Sequence, residues 1–124
     1  MEGGNYLLIA DETALPLLDA RLRALDGKAS VIVLTEAPAA RLAARPGLTV
    51  HSVDRHAAAG PRSLNDVLRG LFLPQGALRV WVSCPAPEAR LICAQLIDDH
   101  GVRRENLEAP AAVEPVLYVL DALA

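Results

Sequence analysis

The chain has 124 residues, the size of one ordinary domain that buries a core without disulfide or metal staples. Its formal charge is −3 and its 12 basic residues form no cluster, which excludes the basic footprint that nucleic-acid binding requires. The apolar residues are mostly Ala, Leu and Val, no run approaches a membrane span, and residues 1–5 lack the basic region of a signal peptide, so a cytoplasmic protein is expected.

Tyr6-Leu-Leu-Ile-Ala10 is a continuous apolar run and predicts a buried strand, with Asp11-Glu-Thr13 at the start of a helix. Leu15, Leu18, Leu22 and Leu25 then mark one face of that helix, with Gly27 as its stop. Ser30–Leu34 predicts a second strand, and Leu48–Val50, after the Pro46-Gly47 turn, a third. Residues 37–45, rich in Ala, Pro and Arg, fit either a short helix or a loop. Ser63 and Asp66 form a variant capping box for a helix through Val67, Leu68 and Leu71, ending before Pro74. Leu78–Val82 predicts a fourth strand. Pro85 and Pro87 lead into a helix from about Glu88 to His100, with Leu91, Ile92, Cys93, Gln95 and Leu96 facing inward and Gly101 behind it. The last apolar run, Val116–Leu120, fits an extra strand or a short helix.

Apolar strands alternating with helices predict an α/β fold: a doubly wound, mostly parallel sheet of about five strands with helices on both faces. The whole chain, 1–124, is expected to be one domain, with 109–124 an apolar tail. In this architecture ligands sit at the carboxyl ends of the strands, so the turns after the strands carry the functional information. In the first such turn the backbone N–H groups of Thr13 and Ala14 and the Thr13 hydroxyl are candidates to meet a phosphate. The two carboxylates beside them oppose this, and no Gly-rich loop is present, so the residues taken alone favour an ordinary N-cap. Cys84 stands at a strand end and before a helix, where a thiolate would be stabilised; a small buried Cys is the competing reading. Cys84 and Cys93 have neither CxxC nor Cys/His spacing, and His51, His56 and His100 show no ligand or triad pattern, so no metal is expected.

The run Ala-Asp-Glu-Thr-Ala-Leu-Pro at 10–16 resembles the Gly-Asp-Glu-Thr-Ala-Leu-Pro signature that opens the C-terminal domain of siderophore-interacting proteins, flavin-dependent ferric-siderophore reductases related to ferredoxin reductases. Val80-Trp-Val82 is similar to the strand before that family's Gly-Glu-Ala turn. Arg90 falls where the following helix carries Arg, and His100-Gly-Val-Arg-Arg-Glu105 is similar to its Gly-x-x-Arg-Glu ending. The resemblance runs from about Tyr6 to Glu108.

That resemblance implies a Rossmann-like NAD(P)H domain. Asp11, Thr13, Ala14 and Pro16 would lie around the pyrophosphate, Ser83 and Cys84 near the nicotinamide, Glu36 at ribose hydroxyls and Arg55 at an adenosine phosphate. For Glu36 and Arg55, solvated charges at loop tips are an equal alternative. The chain also departs from the pattern. Gly-Glu-Ala becomes Cys84-Pro85-Ala86, the aromatic ending becomes Ala109-Pro-Ala-Ala112, and the five residues before Tyr6 lead to the expectation of a domain without the flavin-binding barrel. No FAD is therefore expected on this chain, and NAD(P)H is expected to bind weakly. Two functions follow: an accessory that passes hydride to a flavoprotein partner in trans, with Cys84 a candidate at the reacting centre, or a non-enzymatic interaction module, homodimeric through its tail.

Overall fold

The computed structural model describes residues 4–25, 27–36, 42, 45–54, 63–74 and 77–109. Arg55 and residues 110–124, with the expected tail element, lie outside these described residues. Five strands, β1 (Asn5–Ala10), β2 (Ser30–Thr35), β3 (Leu48–Ser52), β4 (Leu78–Ser83) and β5 (Leu107–Glu108), form one sheet in the order β3-β2-β1-β4-β5. Every pairing is parallel. The α-helices among the described residues are α1 (Leu15–Ala24), α2 (Leu64–Arg69) and α3 (Ala86–Asp98).

Strand alternation sends side chains to two cores. Leu7 and Ile9 of β1, Leu34 of β2 and Val80 and Val82 of β4 pack with Leu64, Leu68, Ile92 and Leu96 of α2 and α3. Leu8 and Ala10, with Val31, Val33 and Trp81, pack with Leu18 and Leu22 of α1 on the opposite face. Burial on both faces explains why β1, β2 and β4 are continuous apolar runs in the sequence. The doubly wound, Rossmann-like expectation therefore holds, with all strands parallel.

Several boundaries differ from the sequence pattern for local reasons. A strand that the sequence pattern does not mark is Leu107–Glu108, two residues pairing with Val80 and Trp81. It is too short for its periodicity to register. A 3-10 turn, Glu12–Ala14, precedes α1, and α1 ends at Ala24, not Gly27. Leu25 turns into extended backbone with its N–H donated to the Leu22 carbonyl at 3.3 Å, and Arg45 Nη1 donates to the same carbonyl at 2.9 Å, a second bond at the helix end. Helix α3 starts at Ala86, with Pro85 as its N-cap and Pro87 in its first turn, where a missing N–H costs no helical bond. Leu91, expected inside, is 59% exposed, because the buried stripe is Ala89, Ile92, Cys93 and Leu96, at i, i+3, i+4 and i+7. Gly101 has φ +69, and the Val102 N–H beyond it reaches the Leu96 carbonyl at 2.9 Å.

Candidate functional site

Chain order reverses at β1, where β2 and β3 lie to one side and β4 and β5 to the other. In open parallel sheets the ligand crevice lies outside the carboxyl ends of the strands at this reversal. Ala10 is in register with Thr35 of β2 and with Ser83 of β4, so three strands end level. Their turns carry Asp11-Glu-Thr13, Glu36 and Ser83-Cys84-Pro85. The Asp11 N–H donates to the Ser83 carbonyl at 3.1 Å and ties the first turn to the third. The structure thus brings Asp11, Thr13, Ala14, Ser83 and Cys84 to one point, with Pro16 in the first turn of α1 and Glu36 one strand away.

The chemistry of this point is set by Asp11, which is 8% exposed. Its Oδ1 accepts the Thr13 hydroxyl at 2.9 Å and the Ala14 N–H at 3.1 Å. These are the hydroxyl and one of the N–H groups that the sequence offers as candidates for a phosphate. A carboxylate already stands against them, as an N-cap does. The second helix end on the crevice is poorer still in donors, since Pro85 and Pro87 have no N–H. This helix end therefore offers few of the converging N–H donors that bind a pyrophosphate at a helix start.

Cys84 packs in the core with α2 and α3 and is 7% exposed. Its thiol is turned away from the access that a reactive thiolate needs. Cys93 lies in the same core, neither cysteine is in a disulfide, and burial pushes the Cys93 thiol up to about 11. The sign of its pH effect follows. Above the ordinary value of 9.0 the unfolded chain releases this proton while the folded chain keeps it, so stability falls as pH rises from 9 to 11. Urea unfolding of the protein and of Cys93→Ala should show a stability difference that changes by about 2–3 kcal/mol across that window. A constant difference would mean that the thiol ionises freely in the fold.

Two features of the site's support were not recognised in the sequence. Glu88 in the first turn of α3 accepts the Leu64 N–H at 3.1 Å, so α3 caps the start of α2 alongside Ser63, whose Oγ accepts the Asp66 N–H at 3.1 Å. Gln95 Nε2 donates to Asn65 Oδ1 at 2.7 Å and to the Asn65 carbonyl at 3.2 Å, a second tie between the same helices. Both involve partners at least 24 residues apart, beyond the reach of a local capping signal. Among the described residues no three His, Cys, Asp or Glu stand together as metal ligands, and no helix is long and apolar enough to cross a membrane.

The model of the siderophore-interacting protein family matches residues 4–111. A siderophore utilization protein from T. fusca is similar in structure, with TM-score 0.70 and 32% identity over 88% of this chain and 44% of that one. A siderophore-interacting protein from Acinetobacter baumannii has TM-score 0.66 and 19% identity, covering 96% of this chain and 51% of its own. The siderophore-interacting protein SipS from Aeromonas hydrophila has TM-score 0.64 and 15% identity, covering 99% and 54%. The last two show the fold alone, and the chain spans about half the length of all three. Among the curated proteins none matches at a significant level.

Proposed function

Within the siderophore-interacting protein family, to which the chain belongs, we propose that it acts as a non-enzymatic interaction module: a nucleotide-domain fold whose phosphate donors are used internally. Its partner is a flavin-binding domain or polypeptide of a ferric-siderophore reductase, in the cytoplasm, where two buried thiols outside any disulfide are stable. The observation that carries this reading is the pair Pro85 and Pro87 at the start of α3, which have no N–H to offer where the family has Gly-Glu-Ala. In the first turn, whose Asp the family shares, Asp11 Oδ1 accepts from both Thr13 and Ala14. An anion approaching that turn meets a buried carboxylate in place of open N–H groups. Glu12 and Glu36 add negative charge at the same edge of the sheet.

Calorimetric titration with NADPH and NADH tests this reading. The expected dissociation constant is about 1 mM or weaker, roughly −4 kcal/mol. Asp11→Ala removes the carboxylate and leaves the Ala14 N–H without its side-chain partner, at a cost of about 1 kcal/mol in stability, and should tighten nucleotide binding by about tenfold. The level strand ends at β1 and β4 favour a second reading, an NAD(P)H accessory that serves a flavoprotein in trans. A low-micromolar constant for the unaltered chain, roughly −8 kcal/mol, would select it and overturn the first.

A further inference from the structure

Helix α3 buries one face in the core, through Ala89, Ile92, Cys93 and Leu96. At about 100° per residue, the opposite face carries Pro87, Arg90, Leu91, Ala94, Ile97 and Asp98, all within about 60° of the direction of Ala94. Every one of these is exposed except Ile97, which is half-buried, and Leu91 leaves 59% of its surface in water. Arg90 and Asp98 have no ion pair among the described residues. They cannot reach each other, because eight positions on one helix put them about 12 Å apart along its axis. The face thus holds one cation and one anion, each unmatched, on either side of a short apolar strip.

We propose that this face is a self-association surface, on which a second copy of the chain packs its own α3 antiparallel across a twofold axis at Ala94. The order of the residues selects this occupant. About such an axis Arg90 meets the partner's Asp98 and Asp98 meets the partner's Arg90, so both unmatched charges are satisfied twice in one contact. Leu91 likewise meets the partner's Ile97, and Ile97 the partner's Leu91, which takes four aliphatic side chains out of water. Ala94 at the axis presents only a methyl group, so the helix axes can approach to about 8 Å, the close end of the packing range. A parallel pair would set Arg90 against Arg90 and Asp98 against Asp98, and the charge pattern therefore fixes the direction. The contact is one helix wide, 13 residues or about 20 Å long, which is small beside the roughly 1,200–2,000 Å² of a stable interface. The dimer is accordingly weak and forms at high protein concentration.

Sedimentation equilibrium of the full chain tests this. A reversible dimer with a dissociation constant of about 0.1–1 mM is expected, the range of a small transient contact. Arg90→Asp alone and Asp98→Arg alone each set like charges together at both pairs and should weaken association by about tenfold or more. Both sites are exposed, so the far-UV circular dichroism should not change. Mixing the two single variants puts opposite charges back at both pairs and should give a heterodimer as tight as the unaltered dimer. The double variant Arg90→Asp/Asp98→Arg should likewise recover self-association. A monomer at about 1 mM of the unaltered chain, a measurement that needs no variant to fold, overturns the proposal and leaves the face to a different protein. A dimer that persists in both single variants overturns it too and places the contact on residues outside α3. Weakening without rescue on mixing rules out the antiparallel pairing.

Discussion

Ile9→Ala should destabilise the protein by about 3–5 kcal/mol, a large share of the 5–15 kcal/mol that holds a domain of this size together. Ile9 is fully buried near the carboxyl end of β1, the middle strand of the sheet, in register with Leu34 on one side and Val82 on the other, and it packs under α2 and α3. Truncation there removes apolar area and leaves a cavity walled by paired strands, which cannot collapse inward as a loop would. Urea unfolding measures the loss, with Leu17→Ala as the control, because Leu17 is 59% exposed and should change stability by less than about 0.5 kcal/mol. A loss below about 1 kcal/mol at Ile9 would show that this strand is not the interior of the sheet. The same substitution should loosen the Asp11 turn, which begins two residues later.

Gly47→Val is the second large effect, expected at about 2–4 kcal/mol. Gly47 has φ +78, and a Cβ built on it would stand 2.9 Å from the Ala29 carbonyl oxygen, which is backbone and cannot move aside. Its own carbonyl accepts the Val31 N–H at 2.9 Å, so a shift to relieve the clash would break the first link between β2 and β3. Gly101→Ala separates the two causes. Gly101 has φ +69 with nothing within 4 Å of an added Cβ, so that variant should show only the strain of a left-handed backbone, about 1 kcal/mol. Equal losses at the two glycines, measured by thermal unfolding, would show that close approach at Gly47 adds nothing.

The site was partly legible because its residues sit where the architecture says they must. Once β1 and β4 were recognised as apolar runs, Asp11 and Cys84 were placed at strand ends. The strand order then put them on one crevice, and the Asp11 to Ser83 hydrogen bond joined them. What the residues do there was not legible. Asp11 followed two residues later by Thr13 is compatible with a phosphate turn and with an N-cap, and the cap geometry, with the carboxylate accepting from Thr13 and Ala14, is visible only in the structure. Cys84 was likewise open between crevice and core until the pleat of β4 assigned it to the α3 side.

By itself the sequence determined the class of fold, the positions of four strands and three helices, the family resemblance and the aliphatic nature of the core. These follow from hydrophobic periodicity and from caps such as Ser63, which act within a few residues and leave a local record. Only the tertiary structure decided the pairing of β5, the turning of Leu91 to solvent, the bond from Arg45 to the end of α1 and that from Glu88 to the start of α2. Each of the last two joins residues more than 20 positions apart, where a backbone group at a helix end meets a side chain delivered by packing. Such partners are selected by the free-energy cost of leaving a buried donor or acceptor unpaired, and that cost exists only once the layers have closed.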